Sequence, residues 1–186
     1  MRPSKREELI EKALVTFYRN GFHATGMDMI VEESGISKTS IYNHFKTKED
    51  LILAVLRLRD EKFRNWLYRR IEALAPDPKG RLLAMFDALG EWFDEADFKG
   101  CMFVKASSEY QDPEHPIHKQ SAEHKRIIEG YLSGLARDAG FAQPDAVARQ
   151  LMLLKEGATV TAQLRPDGCA ATEARETAEV VLTALL

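Results

Sequence analysis

Residues 21–51 read GFHATGMDMIVEESGISKTSIYNHFKTKEDL. A short helix is predicted over 27–34 and a second over 37–44, separated by a tight turn at Ser34-Gly35-Ile36. Glycine supplies the backbone angles that such a bend requires. The second helix opens on small polar and cationic side chains, Ser37, Lys38, Thr39 and Ser40. Tyr42, Asn43, His44, Phe45 and Lys46 follow, and Lys48 starts the next helix. Ile30, Ile36, Ile41 and Phe45 are the apolar residues expected to hold the two helices together and against Leu14 and Phe17. This is the pattern of a helix-turn-helix. Its second helix presents N-terminal residues to base edges in the major groove. Short side chains let the backbone approach the groove floor. Lys38 can donate to guanine O6/N7, and Thr39 can offer a hydroxyl or a methyl. Tyr42, His44 and Lys48 lie on the flank, where donors meet phosphates and set register.

Outward from this stretch the chain reads as helix throughout. Residues 4–20 place Leu9, Ile10, Ala13, Leu14, Phe17 and Tyr18 on one stripe, and Gly21 is a natural left-handed stop. Thr47 with Asp50 three residues on forms the start signal of a long helix over 47–74. Ala75-Pro76-Asp77-Pro78 breaks it. Further helices are predicted over 79–95, 101–111, 117–139, 144–164 and 171–185, punctuated by turn residues. No stretch alternates as a strand would. The expected fold is all-α with about nine helices: a three-helix helix-turn-helix head, residues 1–46, and a C-terminal helical bundle, residues 47–186.

Bulk properties fit a soluble, cytoplasmic, globular chain. It has 186 residues, 45% hydrophobic and 30% charged. No apolar run approaches the ~20 residues of a membrane span, and the N-terminus lacks the apolar core of a secretory signal. The net charge of −3 is distributed unevenly. Residues 1–46 carry seven Lys/Arg against six Asp/Glu, and the rest carry nineteen against twenty-three. Where cations sit relative to phosphates matters more than the total.

Other chemistry finds little support. Cys101 and Cys169 are far apart with no CxxC, so a disulfide framework or zinc knuckle is not expected. Cys101, after Gly100, reads first as a small buried apolar residue and second as a thiol sensor. His115, His118 and His124 lack the i, i+4 spacing of helical zinc ligands, so no metal site is expected. Glu109 and Glu156 are candidate buried carboxylates. No nucleophile elbow, phosphate loop or HExxH is present; an enzyme is not expected, and no cofactor is implied.

The stretch closely resembles the DNA-binding head of the TetR/AcrR family of bacterial one-component regulators. The resemblance rests on G-F-x-A-T at 21–25, S-G-I-S-K at 34–38 and I-Y-N-H-F-K-x-K-E-D-L at 41–51. It is strong over about residues 5–55. G-C-M-F-V-x-A-S-S-E-Y at 100–110 with D-P-E-H-P-I at 112–117 looks like a recurring C-terminal subtype, one that implies no particular ligand. The resemblance implies base contacts near Lys38, Thr39 and Asn43, with Ser37 at the helix start, and phosphate contacts near Thr25, Tyr42, His44 and Lys48. Two positions depart from the pattern. Gly26 stands where a Ser or Thr cap is usual, so the cap is expected to pass to Thr25. Asp28 stands where an arginine often reaches DNA; it could accept from a cytosine amino group or face solvent.

The body is expected to bind a small effector and a second copy of the chain. Phe63, Trp66, Phe86, Trp92, Phe93, Met102, Phe103, Tyr110, His124 and Met152 are the candidate pocket lining, since bundles place ligands between helices. Leu151, Leu154, Ala158 and Ala162 on one helix, and Ala178, Val181, Leu182 and Leu185 on the next, are the candidate interface of a two-fold homodimer; the family resemblance supports that surface. The implied function is a ligand-responsive transcriptional regulator, a repressor released from a palindromic operator in double-stranded DNA. The rival class is a ligand-binding protein whose head contacts protein. On the phosphate reading, Lys48→Ala flattens the salt dependence of DNA binding by about one unit.

Overall fold

A computed structural model describes residues 4–165 and 167–185. Among the described residues there are nine helices and no strand: α1 Lys5–Asn20, α2 Met27–Ser34, α3 Lys38–His44, α4 Lys48–Leu74, α5 Pro78–Phe93, α6 Met102–Glu109, α7 Pro116–Asp138, α8 Pro144–Leu164 and α9 Ala170–Ala184. The boundaries follow local chemistry. Ser4 and Glu7 close a reciprocal capping box on α1, and Thr47 and Asp50 do the same before α4, at 3.0 and 3.1 Å. Asp77 accepts from Gly80 N at 2.8 Å, with Pro78 at the first helical position of α5. Gly35, at φ +67°, ends α2 in the left-handed conformation.

The chain forms two compact units that do not follow chain order. The first gathers the described residues up to Lys62 with Met102–His124; the second gathers Phe63–Cys101 with the described residues from Lys125 onward. The helices of the head therefore share a unit with α6, the first part of α4 and the start of α7. Helix α4 is continuous and contributes to both units.

In the first unit, Leu9, Ala13, Phe17, Phe22, Ile30, Ile41, Leu51 and Val55 are fully buried. Burial of this kind stabilises at roughly 25 cal/mol per Å² of apolar surface. Ile36 and Leu14, expected in this core, are only half-buried. In the second unit α5, α8 and α9 pack on one another. Leu151, Ala158, Ala178 and Leu182 fill that packing, at 0, 5, 0 and 1% exposure. This corrects the expected dimer face: these four are core, and the small residues among them let α8 and α9 close on each other within one chain. Leu154, Ala162, Val181 and Leu185 are half-buried. The outward apolar stripe is one step round the helix, at Leu153, Val160 and Leu164 of α8 and Val180 of α9, at 73, 44, 78 and 70% exposure.

Candidate DNA-binding surface

The turn between α2 and α3 is tied down by polar groups on both sides. Lys12 Nζ donates to the Ser34 carbonyl at 2.6 Å, Ile36 N donates to Ser34 Oγ at 3.1 Å, and Thr16 Oγ1 donates to Glu33 Oε2 at 2.7 Å. Ile30 and Ile41 close the apolar side of the same corner. With its inner face fixed, α3 turns the rest of its surface outward. Ser37, Lys38, Thr39, Tyr42, Asn43, His44 and Lys46 are all exposed, while Ile41 and Phe45 are buried. Ser37 caps α3, accepting from Ser40 N at 3.3 Å, and the Arg6 guanidinium lies 5.0 Å over the Phe45 ring.

Lys38 is the cation nearest the start of α3. Its Nζ sits 2.7 Å from Asp28 Oδ1 of α2, with Lys38 54% and Asp28 87% exposed. The hydrogen bond and the charge of Asp28 hold the ammonium above its ordinary pKa. Asp28, open on sequence grounds between accepting from a base and facing solvent, is exposed and paired with Lys38, an arrangement compatible with either.

Two expected phosphate ligands make contacts within the fold. Thr25 is fully buried, and its hydroxyl donates to the Gly21 carbonyl at 2.6 Å. It does not cap α2. That place is taken by Gly26, which offers no side-chain acceptor, so the first amides of α2 lack a side-chain cap. Lys48 is half-buried. Its Nζ donates to the carbonyls of Phe22 at 2.8 Å, Thr25 at 3.1 Å and His23 at 3.5 Å. The ammonium is thus directed at the loop joining α1 to α2, with two close carbonyl contacts and one long one.

The amides of that loop are held by a residue sequence reasoning did not assign to the head. Glu109, last residue of α6, accepts from Phe22 N at 2.9 Å and His23 N at 2.5 Å. Gly21 makes room for it: at φ +84°, a Cβ there would stand 3.1 Å from Glu109 Oε1. The loop is thus clamped between an anion that takes its N–H groups and a cation that takes its carbonyls. Beside the clamp, Tyr110 lies between His23 and His115, with ring centroids at 4.8 and 4.7 Å. Burial, then the Glu49 and Glu109 charges, push the Tyr110 phenol up to about 12, so it stays neutral at physiological pH. The eighty-seven-residue separation between Phe22 and Glu109 explains why no local signal pointed to the contact.

The ten residues expected to line one pocket are divided between the units. Met102, Phe103, Tyr110 and His124 belong to the first, where His124 stacks on Phe103 at 3.7 Å and bonds Asp60 at 2.7 Å. In the second unit Trp66, Phe63, Trp92 and Phe93 form a chain of ring contacts at 5.6, 4.9 and 5.6 Å, and Met152 is buried. Only Phe86 and Phe93 line a cleft of about 520 Å³, shared with Phe98, Glu91, Asp94 and Arg165. Elsewhere in this unit, Glu156 meets two ammonium groups, Lys125 at 2.7 Å and the buried Lys155 at 2.8 Å. Burial alone would raise the Glu156 carboxyl, but the two lysines bring it down to about 2. Cys101, also buried, lies 3.2 Å from Lys125 Nζ. Among the described residues no cluster suited to a metal ion occurs, and no helix is long and apolar enough to cross a membrane.

Known proteins share this arrangement. Residues 9–55 match the family model described as bacterial regulatory proteins, tetR family. The HTH-type transcriptional regulator YjdC of Escherichia coli is 26% identical over 153 residues, covering 82% of this chain and 80% of its own. The HTH-type transcriptional activator FasR of Mycolicibacterium smegmatis is 30% identical over 139 residues, covering 75% of this chain and 62% of that protein. A TetR-family regulator from Streptomyces coelicolor superposes with a TM-score of 0.90 at 28% identity, over 97% of this chain and 95% of the other. The matched segment holds the capped turn, the outward ridge of α3 and the start of α4, and the likeness to the Streptomyces structure runs through all nine helices. Residues 9–55 thus form a DNA-binding head of the tetR family of bacterial regulatory proteins, and the whole chain has the fold of a TetR-family transcriptional regulator.

Proposed function

We propose that the protein is a homodimeric repressor that occupies a two-fold operator and leaves it when a small molecule binds the body. One observation carries the DNA-reading part: seven of the ten positions from Ser37 to Lys46 are polar, aromatic or basic and exposed, on a helix whose other face is locked by Ile41 and Phe45. Ser37, Lys38, Thr39 and Asn43 are placed for base edges, and Tyr42, His44 and Lys46 for phosphates.

Dimerisation is supported by the stripe on α8 and α9. Among the described residues, four of the seven exposed large hydrophobic side chains, Leu153, Val160, Leu164 and Val180, lie on these two helices. Scattered apolar residues need no partner, but a stripe at i, i+7 and i+11 on one helix, continued by its neighbour, does. A two-fold pair sets recognition helices about 34–36 Å apart, or wider with spaced half-sites.

Release by an effector requires an element that both parts share. Helix α4 runs through both units, so a shift of its second half in the ligand-bound state changes where its first half carries the head. For near-complete release the effector must prefer that state about 10⁴-fold. The aromatic cleft at Phe86, Phe93 and Phe98 gives the second unit a place for a small molecule. Repression follows from occupancy: a dimer seated on a promoter excludes polymerase without further contacts. KstR2 of Mycolicibacterium smegmatis, 35% identical over 88 residues and 46% of this chain, is a named repressor.

The test is fluorescence anisotropy of the purified protein with the duplex upstream of its own gene, at two salt concentrations. Salt-sensitive binding, with two chains per duplex, is expected. Failure to bind any promoter fragment at low salt overturns the reading.

A further inference from the structure

We propose that Asp28 and Lys38 act together as one reading head for a single G·C base pair in each half-site, Lys38 donating to the guanine and Asp28 accepting from the cytosine amino group. This rests on the operator-binding reading above and names part of what that surface recognises.

The two side chains come from different helices, the first turn of α2 and the first residue of α3, yet meet at 2.7 Å on the exposed surface. Among the described residues neither has a second hydrogen-bond or ion-pair partner. The pair does not hold α2 to α3, because the Gly35 turn and the buried Ile30 and Ile41 do that, and an exposed ion pair contributes little to stability. Its geometry suits a ligand instead. The Lys38 ammonium has three hydrogens and gives one to Asp28 Oδ1, which leaves two. The Asp28 carboxylate keeps lone pairs on both oxygens. The unit therefore presents donors and acceptors side by side.

In the major groove a G·C pair presents the mirror of this pattern: two adjacent acceptors, N7 and O6, then the cytosine N4 donor. O6 and N4 are joined by a Watson–Crick hydrogen bond of about 2.9 Å, close to the 2.7 Å between Lys38 Nζ and Asp28 Oδ1. The lysine can take both guanine acceptors while the carboxylate takes the amino group. A T·A pair also places an acceptor, O4, beside a donor, N6, but has a methyl group where guanine has N7, so one bond is lost. The reversed C·G pair sets donor against ammonium and acceptor against carboxylate, and both contacts become repulsive. A lone lysine at this position would donate to any acceptor edge or a phosphate; the carboxylate fixes both the base pair and its orientation.

Selection from a random duplex library with the full-length wild type, followed by binding constants at one salt concentration for the selected site and its single base-pair variants, tests the assignment. The wild type is expected to require G·C, in one orientation, at one position per half-site, losing roughly tenfold or more on substitution there. Asp28→Ala and Lys38→Ala should each abolish discrimination at that same base pair and leave the other positions unchanged; the double variant should lose nothing further at it. Both residues are exposed, so the variants should keep the wild-type circular dichroism. If the two variants relax at different positions, or if Asp28→Ala tightens every sequence alike, Asp28 merely screens a cation and the proposal fails. If the wild type enriches no duplex at all, the operator reading falls, and this assignment with it.

Discussion

Replacing Lys48 with methionine separates two views of the same residue. Methionine keeps most of the apolar stem and removes the ammonium. The carbonyls of Phe22 and Thr25 then lose donors at 2.8 and 3.1 Å; the contact to His23, at 3.5 Å, is too long to count for much. Hydrogen bonds to charged groups contribute about 1.5–3 kcal/mol each. The site is only partly buried, so water can reach the freed carbonyls, and the total loss should be nearer about 1–2 kcal/mol. For a chain of this length that lowers Tm by roughly 2–8 °C, at about 2–4 °C per kcal/mol. Because the ammonium is spent inside the chain, the slope of log Kd against log salt should stay as in wild type, while operator affinity falls through a looser loop. Thermal unfolding and anisotropy at four salt concentrations measure both. A slope flatter by about one unit with an unchanged Tm would show that Lys48 neutralises a phosphate, and would refute the clamp.

Three further outcomes follow from the same structure. Glu109→Ala leaves the amides of Phe22 and His23 without their acceptor and should weaken operator binding although no residue of α3 is altered; unchanged affinity by anisotropy would remove α6 from the head's support. Leu153→Glu should convert the dimer to a folded monomer in analytical ultracentrifugation, whereas the buried neighbour Leu151→Ala should leave association intact and cost about 2–5 kcal/mol of stability in denaturant unfolding; the reverse pattern would put the interface back on the inner face. Glu156→Gln should flatten the acid limb of stability. A carboxyl held near 2 in the fold and near 4.5 unfolded contributes stability above 4.5 that is lost as pH falls toward 2, so urea midpoints of wild type and variant should converge across that window. Parallel curves would show that the two lysines do not depend on Glu156 for their compensation.

The elements were legible because their ends carry their own chemistry. Capping side chains at Ser4, Thr47 and Asp77, and glycines at 21 and 35, act within four residues, so helix boundaries needed no tertiary knowledge. The outward ridge of α3 was legible for a related reason: Ile41 and Phe45 mark one side of a seven-residue helix, which leaves the remainder outside. What sequence could not resolve was the choice between two apolar faces. Helix α8 carries Leu151 and Ala158 on one side and Leu153 and Val160 on the other, and composition does not say which meets α5. Nor could it locate the ends of long charged side chains. By reach alone Lys48 can serve either a phosphate or a backbone loop, and its carbonyl contacts depend on Phe22–Thr25 folding back toward it. Nor does sequence separate aromatic residues that pack one another from aromatic residues that line a cavity, and of the ten expected lining residues Phe86 and Phe93 border the cleft on α5.

These placements bear on how the head reads DNA. Of the cations around α3, Lys38 is paired with Asp28, Lys48 is spent on the loop and Arg6 rests on Phe45. Lys46 is exposed without a partner among the described residues. Sequence-independent attraction grows with each phosphate neutralised, and here few side chains are free to neutralise one. Backbone amides at the uncapped start of α2 can add a phosphate contact through the helix dipole without a mobile charge. A head so sparing with free cations is expected to hold random DNA weakly. Its discrimination must therefore come from hydrogen bonds to base edges, which is where Asp28, an acceptor among donors, has its value.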